Sequence, residues 1–281
     1  MATALVTGGN TGLGAAFARR LAAEGYNLVL VARNRERLEA VAASIRAGHG
    51  VEVEVLPADL EVPAERVMVE RRLAGTIGGP VDVLVNNAGV QNYEVFDKAS
   101  PAALKAEVDV NITAVLQLTR AALPGMLDRG RGTVVNVASF AGYLGAPGSS
   151  YSASKAWVLS FTDSVAASLP GTGVQALAIC AGPIRTDRHA RAGRSVGAPG
   201  SPLWSEPADV VDRCLNDLRK GRSLSVSGWI HRTVVNVLEL PRRSLRTVAR
   251  LAGSGREQQA VRARAAKQSE ARTPNSPSRP G

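Results

Sequence analysis

The stretch Ala2–Gly14, ATALVTGGNTGLG, decides how the rest of the chain is read. Ala2–Val6 is a short apolar run of the kind that forms a strand buried on both faces. Thr7-Gly8-Gly9-Asn10-Thr11-Gly12-Leu13-Gly14 follows, and a helical pattern runs from Leu13 to Glu24, with Gly25 near the expected C′ position. Strand, glycine turn and helix is the context that a dinucleotide pyrophosphate needs. The glycines let the backbone approach closely, and the helix start offers unpaired N–H groups at the positive end of its dipole. The spacing is GxxxGxG rather than GxGxxG. A lone turn of this kind usually only joins two elements, so its weight comes from its flanks.

Working outward, Asn27–Ala32 reads as the second strand, Val51–Leu56 as the third and Val81–Val85 as the fourth. The second strand ends about 20 residues beyond the last motif glycine, where an NAD binder would place an acid for the ribose. Ala32 and Arg33 stand there instead. An arginine can pair with a 2′-phosphate, with Asn34 or Arg35 assisting; the plainer reading is a solvated arginine opening a charged helix. Asp59 ends the third strand, placed either to meet an adenine edge or to cap the next helix. Asn86-Asn87-Ala88-Gly89 follows the fourth strand, and its asparagines fit both turn chemistry and a cofactor floor.

A long helical stretch covers Pro101–Asp128 and contains Asn111, unfavourable in a helix interior unless its amide holds a kink or a water. Pro124 is expected to kink or end that helix near Ala121–Leu123. Then comes TVVNVAS, Thr133–Ser139, as a fifth strand, a Gly/Ser/Pro-rich loop, and a helix through Tyr151 to Ala167. Lys155 lies four residues beyond Tyr151, on the same helical face. A fixed ammonium near a phenol favours phenolate, moving the tyrosine below its ordinary pKa of about 10. Ser139, at a strand's C-terminal end, is placed to face the same spot, an arrangement suited to proton exchange with a carbonyl oxygen. YxxxK spacing also arises by chance on helix surfaces; the serine twelve residues earlier and the glycine turn give it meaning. Val174–Ile179 reads as the sixth strand, Ala208–Lys220 as a helix and Ser223–Ser227 as a last short strand. The loop from Ile184 to Ser205 is placed to form a substrate wall, and its Arg185, Arg188, Arg191 and Arg194 suit an acidic or acyl-thioester substrate.

At 281 residues and 45% hydrophobic, the chain can bury a large core. Cys180 and Cys214 lack metal-ligand spacing and His49, His189 and His231 are scattered, so no metal site is expected and a reducing compartment is. No signal peptide or membrane span is evident, and a cytoplasmic protein is expected. The net charge is +10, but residues 241–281 carry ten Arg/Lys against two Glu, so eight of those charges belong to the tail. That placement argues against nucleic-acid binding by the folded part. Residues 229–252 read as an amphipathic basic extension, two short helices broken at Pro241. It is suited to docking on the domain or on a subunit partner, or to weak contact of 229–272 with an anionic membrane that would make the protein peripheral to it. Residues 253–281 read as a disordered basic tail.

With Thr7–Gly14, Asn86–Gly89, Asn111, Ser139 and the Tyr151/Lys155 pair in order, residues 1–228 resemble the short-chain dehydrogenase/reductase family, most closely its NADP-preferring bacterial oxidoreductases. The resemblance implies an α/β fold: a Rossmann-type, doubly wound, mostly parallel seven-stranded sheet with helices on both faces, in a homodimer or homotetramer. It implies NADP(H) as cofactor and a small ketone, aldehyde or 3-oxoacyl substrate, or the matching alcohol. It assigns Tyr151 as acid/base, Lys155 as its pKa modifier and ribose ligand, Ser139 as the group orienting the substrate oxygen and Asn111 as holder of a proton-relay water. Cofactor contacts would come from Gly8, Asn10, Thr11, Gly12, Leu13, Gly14, Arg33, Asp59, Leu60, Asn87, Ala88, Gly89, Pro183, Ile184 and Thr186. The chain departs from the family pattern at Ala181-Gly182-Pro183, where many relatives have Pro-Gly, and at Thr11, where many NADP-specific members carry a base. The rival reading is a non-catalytic NADP-binding sensor or scaffold that acts through the basic tail.

Overall fold

A computed structural model describes residues 1–145, 148–185 and 204–239. It divides the chain into residues 1–232 and 233–281. Residues 229–239 are helical. Thr186, the arginines Arg188, Arg191 and Arg194, His189, the break at Pro241 and the 253–281 tail lie outside the described residues.

Strands and helices alternate: β1 (Thr3–Thr7), α1 (Gly12–Ala23), β2 (Asn27–Ala32), α2 (Arg35–His49), β3 (Val53–Pro57), α3 (Pro63–Leu73), β4 (Val83–Asn86) and α4 (Pro101–Val108). They continue as α5 (Ala114–Asp128), β5 (Gly132–Val137), α6 (Ser150–Ala167), β6 (Val174–Cys180), α7 (Pro207–Arg219) and β7 (Leu224–Val226). The strands form one seven-stranded sheet in the order β3-β2-β1-β4-β5-β6-β7. Every neighbouring pair is parallel, as short strands joined by helical crossovers require. The doubly wound sheet expected from the sequence is therefore present, without the antiparallel edge that a mostly parallel sheet allows.

Alternate strand residues serve opposite layers. Ala4 and Val6 of β1 pack with Phe17 and Leu21 of α1, Leu38 of α2 and Leu215 of α7. Leu5 between them joins Val69 of α3 and Leu118 and Met126 of α5 on the other face. Because both faces are covered, the strands read as unbroken apolar runs. A fully buried Leu or Phe is worth about 1.5–3 kcal/mol, and Phe17, Leu5, Leu30, Leu84 and Leu177 have no exposed surface. The chain winds outward from β1 to β3 and returns to start β4 on the other side of β1. That reversal opens a crevice at the C-terminal ends of β1 and β4.

The helical stretch from Pro101 corrects two expectations. It is interrupted at Asp109–Thr113 by a π-helical turn containing Asn111. Pro124 does not end it: α5 runs on to Asp128. Proline forfeits one hydrogen bond of the ladder, but Met126, two residues later, has no exposed surface and is seated in the core. Tertiary burial outweighs the lost bond. Among the described residues no helix is long and apolar enough to cross a membrane.

Candidate active site

The glycine turn sits at the C-terminal end of β1. Gly8 and Gly12 have φ of 65° and 52°, values that side chains rarely adopt. Gly14 is held by space instead: a Cβ there would lie 2.1 Å from the Gly8 carbonyl oxygen and 2.5 Å from Asn87 Nδ2. Asn87 braces the turn from β4, donating from Nδ2 to the carbonyls of Thr7 (2.9 Å) and Gly8 (3.3 Å). Thr7, 1% exposed, completes the brace, its Oγ1 accepting from the N–H groups of Asn87 and Ala88. Thr11 stands at the N-cap of α1 without a side-chain cap, and no acid lies in the first turn. The side chain of Leu13 packs into the core, so it is the main chain of Thr11, Gly12, Leu13 and Gly14 that faces outward. Uncapped N–H groups beside a cradle that a Cβ would fill fit a pyrophosphate.

Arg33 lies past the end of β2, its side chain 69% exposed and 3.7 Å from Asp59 Oδ2. The structure thus brings together two predicted cofactor residues. Such an exposed pair holds weakly, and the guanidinium can turn toward a phosphate. Asn34, read as a possible assistant, is instead the N-cap of α2, accepting from the Arg37 N–H. Asp59 caps no helix: its Oδ1 accepts from the N–H of Glu61 two residues on, a local turn before α3. Leu60 is buried in the core and its carbonyl accepts from Arg66.

On the other side of the crevice, α6 begins one residue before Tyr151, with Ser149 as a capping N-cap. Lys155 is 4% exposed. Its Nζ lies 5.6 Å from the centroid of the Tyr151 ring and donates to the carbonyl of Val137, the last residue of β5. Ser139 caps the short turn Phe140–Gly142; its Oγ accepts from the Ala141 N–H, which leaves its own proton to donate. A Cβ on Gly142 would lie 2.7–2.9 Å from the Lys155 and Ala156 backbone. Only glycine lets the Ser139 turn press so closely on α6, beside the lysine. Gly89 meets the same group from β4: a Cβ there would be 3.1 Å from Asn111 Oδ1 and 3.6 Å from Lys155 Nζ. Asn111, with no exposed surface, spends its side chain on the backbone of one residue, accepting from Val90 N–H (2.9 Å) and donating to Val90 carbonyl (2.8 Å). Its amide thus ties the π-helical turn to the segment that follows β4.

Past β6, Ile184 pairs with Ser205, and the Pro183 carbonyl accepts from the Ser205 N–H at 2.9 Å. Gly182 is required by His231, whose ring would lie 2.4 Å from a Cβ there. Burial pushes the His231 imidazole below its ordinary pKa. Cys180 and Cys214 are buried and form no disulfide, burial pushing the Cys214 thiol far up, and no metal-binding cluster exists among the described residues.

Two bracing residues, Asn136 and Glu107, went unnoticed in the sequence. Asn136, on β5 beside Asn86 of β4, accepts from Asn86 Nδ2 at 2.9 Å and donates to Thr162 of α6 at 2.9 Å. Asn86 also donates to Thr119 of α5. This polar seam, buried throughout, fixes both helices on the sheet. Glu107, 1% exposed, accepts from the Asn92 N–H at 2.8 Å and from Ser154 Oγ at 3.5 Å. Its place four residues before Asn111 was the available signal, since the two share a helix face.

The family model described as short chain dehydrogenase matches residues 2–196. Ketoacyl reductase HetN from Nostoc sp. is 38% identical over 181 residues, 64% of this chain and 62% of that protein. D-beta-hydroxybutyrate dehydrogenase from Cupriavidus necator is 38% identical over 186 residues, 66% of this chain and 71% of its own. Among solved structures, a short-chain dehydrogenase from Sphingobium yanoikuyae in complex with NADPH superposes with a TM-score of 0.80 at 32% identity, covering 88% of this chain and 96% of that one.

Proposed function

The chain belongs to the short chain dehydrogenase family, and from that premise we propose that it is an NADP(H)-dependent oxidoreductase interconverting a carbonyl and an alcohol, with 3-oxoacyl compounds as the leading substrate class. The observation that carries the reading is the buried Lys155 ammonium, seated beneath the Tyr151 ring and tied to the end of β5. Support for the substrate class comes from the ketoacyl reductase and hydroxybutyrate dehydrogenase relatives, and for the cofactor from the NADPH named with the Sphingobium structure. When bound, NADP(H) supplies or accepts the hydride; the remaining tasks fall to this chain.

The open N-terminus of α1 with Gly8, Asn10, Thr11, Gly12, Leu13 and Gly14 would hold the pyrophosphate, and Arg33 the 2′-phosphate. Asp59 and Leu60 would meet the adenine. Asn87, Ala88 and Gly89 would floor the site, and Pro183, Ile184 and Thr186 would meet the nicotinamide end. Tyr151 gives its phenolic proton to the substrate oxygen in reduction and takes it back in oxidation. Lys155 lowers the cost of the phenolate left behind and reaches the ribose. Ser139, its oxygen already accepting from Ala141, donates to the same substrate oxygen and stabilises the charge that develops there. The Asn111 side chain is committed to Val90. Asn111, in the π turn, would hold a proton-relay water. The assembly carried forward is a homodimer or homotetramer.

The test is consumption of NADPH and NADH by the purified chain over ketones, aldehydes and 3-oxoacyl thioesters. The reading expects NADPH-linked turnover, fastest with a 3-oxoacyl thioester. NADPH binding with no turnover anywhere in the panel would return the protein to the sensor reading.

A further inference from the structure

A second concavity, of about 330 Å³, lies at the C-terminal end of β7, lined by Trp204, Ser205, Asp209, Arg213, Ser227 and Arg232. Its polar groups are out of balance. Ser227 is 5% exposed, and neither its Oγ nor the Nε of Arg232 has a hydrogen-bond partner although both atoms are buried. Buried polar atoms left unpaired are rare and call for a ligand, a water or an ion. Here a guanidinium N–H that can only donate and a hydroxyl that can donate line one cavity, so an acceptor is the group that satisfies both.

The surrounding charges specify its sign. Asp217, 2% exposed, is already saturated by Arg213 (3.1 Å), Arg222 (2.7 Å) and Ser225 (2.8 Å). Arg213 meets it through Nε, which leaves the terminal amino groups of that guanidinium for the cavity. The exposed Asp209 also lines the wall, yet it pairs with neither Arg213 nor Arg232 among the described residues. Burial, and then the neighbouring Arg213 charge, weigh against the charge on Arg232, a cost that a bound anion relieves. Two guanidiniums and a hydroxyl approaching from different elements suit a group with several oxygens.

We propose that this cavity is a phosphate-binding subsite formed by Ser227, Arg213 and Arg232. Its place bears on the reaction site, because Ser205 in its wall is the bridge partner of Ile184, at the end of the segment that leaves β6. The phosphate is either free in solution or the phosphate of a substrate carried on a phosphorylated thiol such as coenzyme A.

Calorimetric titration of the full chain with inorganic phosphate tests the site without requiring turnover, so it can fail separately from the reductase reading. Arg232→Gln should weaken phosphate at least tenfold and Ser227→Ala about threefold. Arg19→Gln, an exposed arginine elsewhere, should leave it unchanged. If Arg232→Gln does not fold, Ser227→Ala and Arg232→Lys decide the question, with the lysine retaining part of the affinity. A second arm compares acetoacetyl-coenzyme A with the phosphate-free N-acetylcysteamine thioester. A tenfold rise in KM confined to the coenzyme A substrate identifies a substrate-borne phosphate; lost phosphate binding with both KM values unchanged identifies a free one. Phosphate binding that is absent from the parent, or identical in Arg232→Gln and Ser227→Ala, overturns the proposal and leaves the cavity to water.

Discussion

On the β1 side of the crevice, the groups proposed to meet a nucleotide are mainly backbone: uncapped N–H groups at the start of α1 and a turn that Gly14 keeps open. On the β4 and β5 side they are side chains, Ser139, Tyr151 and Lys155, delivered by a strand end, a short turn and a helix. The two starts of α1 and α6 make the contrast concrete. Thr11 leaves its helix uncapped, whereas Ser149 closes the start of α6 by accepting from Ser152. An open helix start is a site for an anion; a closed one holds a side chain in register. On the proposed function, binding and chemistry are built from different materials, and substitutions should separate them.

The largest effect expected is from the residue that belongs to both sides. Lys155→Met removes the ammonium beneath Tyr151 and a proposed ribose contact, so steady-state assays should show turnover reduced by about 10²–10⁴, with weaker NADPH binding as well. Loss of turnover with unchanged affinity would confine Lys155 to the chemistry. Next is Arg33→Ala, on the binding side alone. Losing a charged hydrogen-bond partner costs about 1.5–3 kcal/mol. NADPH affinity should fall by about that amount in a fluorescence titration while NADH affinity holds, and equal losses for both would make Arg33 a structural residue.

Asn136→Ala strikes the frame of the chemical side. It takes an acceptor from Asn86 and a donor from Thr162 in the core, leaving each only its second partner, and denaturant unfolding should show a loss of about 1–3 kcal/mol, with NADPH affinity nearly unchanged. The smallest effect concerns His231, whose folded pKa lies below its ordinary 6.5 because of burial. The unfolded chain therefore binds this proton more readily. Stability should decline as pH falls through about 6.5, and level off below the lower folded pKa. His231→Gln should flatten that part of a stability-against-pH curve.

The same division explains what could be read in advance. Gly8–Gly14 acts within seven consecutive residues, through backbone geometry that glycine itself encodes, so strand, turn and helix were legible together. Tyr151 and Lys155 were legible because four residues on a helix make one face. The supports were not. Asn136 looks like one polar residue in an apolar strand until β4 brings Asn86 beside it. Glu107 looks like surface charge until the Val90–Asn92 segment folds onto it. Gly142 looks like loop filling until α6 lies against it. That α5 continues past Pro124 has the same cause, since burial of Met126 is decided by the sheet and outranks local propensity. Long-range partners gave these residues their roles, and among them only Glu107, four residues before Asn111, left a local signal.

Single-turnover hydride transfer from prebound NADPH, measured for the parent and Tyr151→Phe on a substrate from the panel, tests the division most directly. The account predicts NADPH affinity within about twofold of the parent and a transfer rate lower by about 10²–10⁴. A Tyr151→Phe protein that transfers hydride at the parental rate would contradict it.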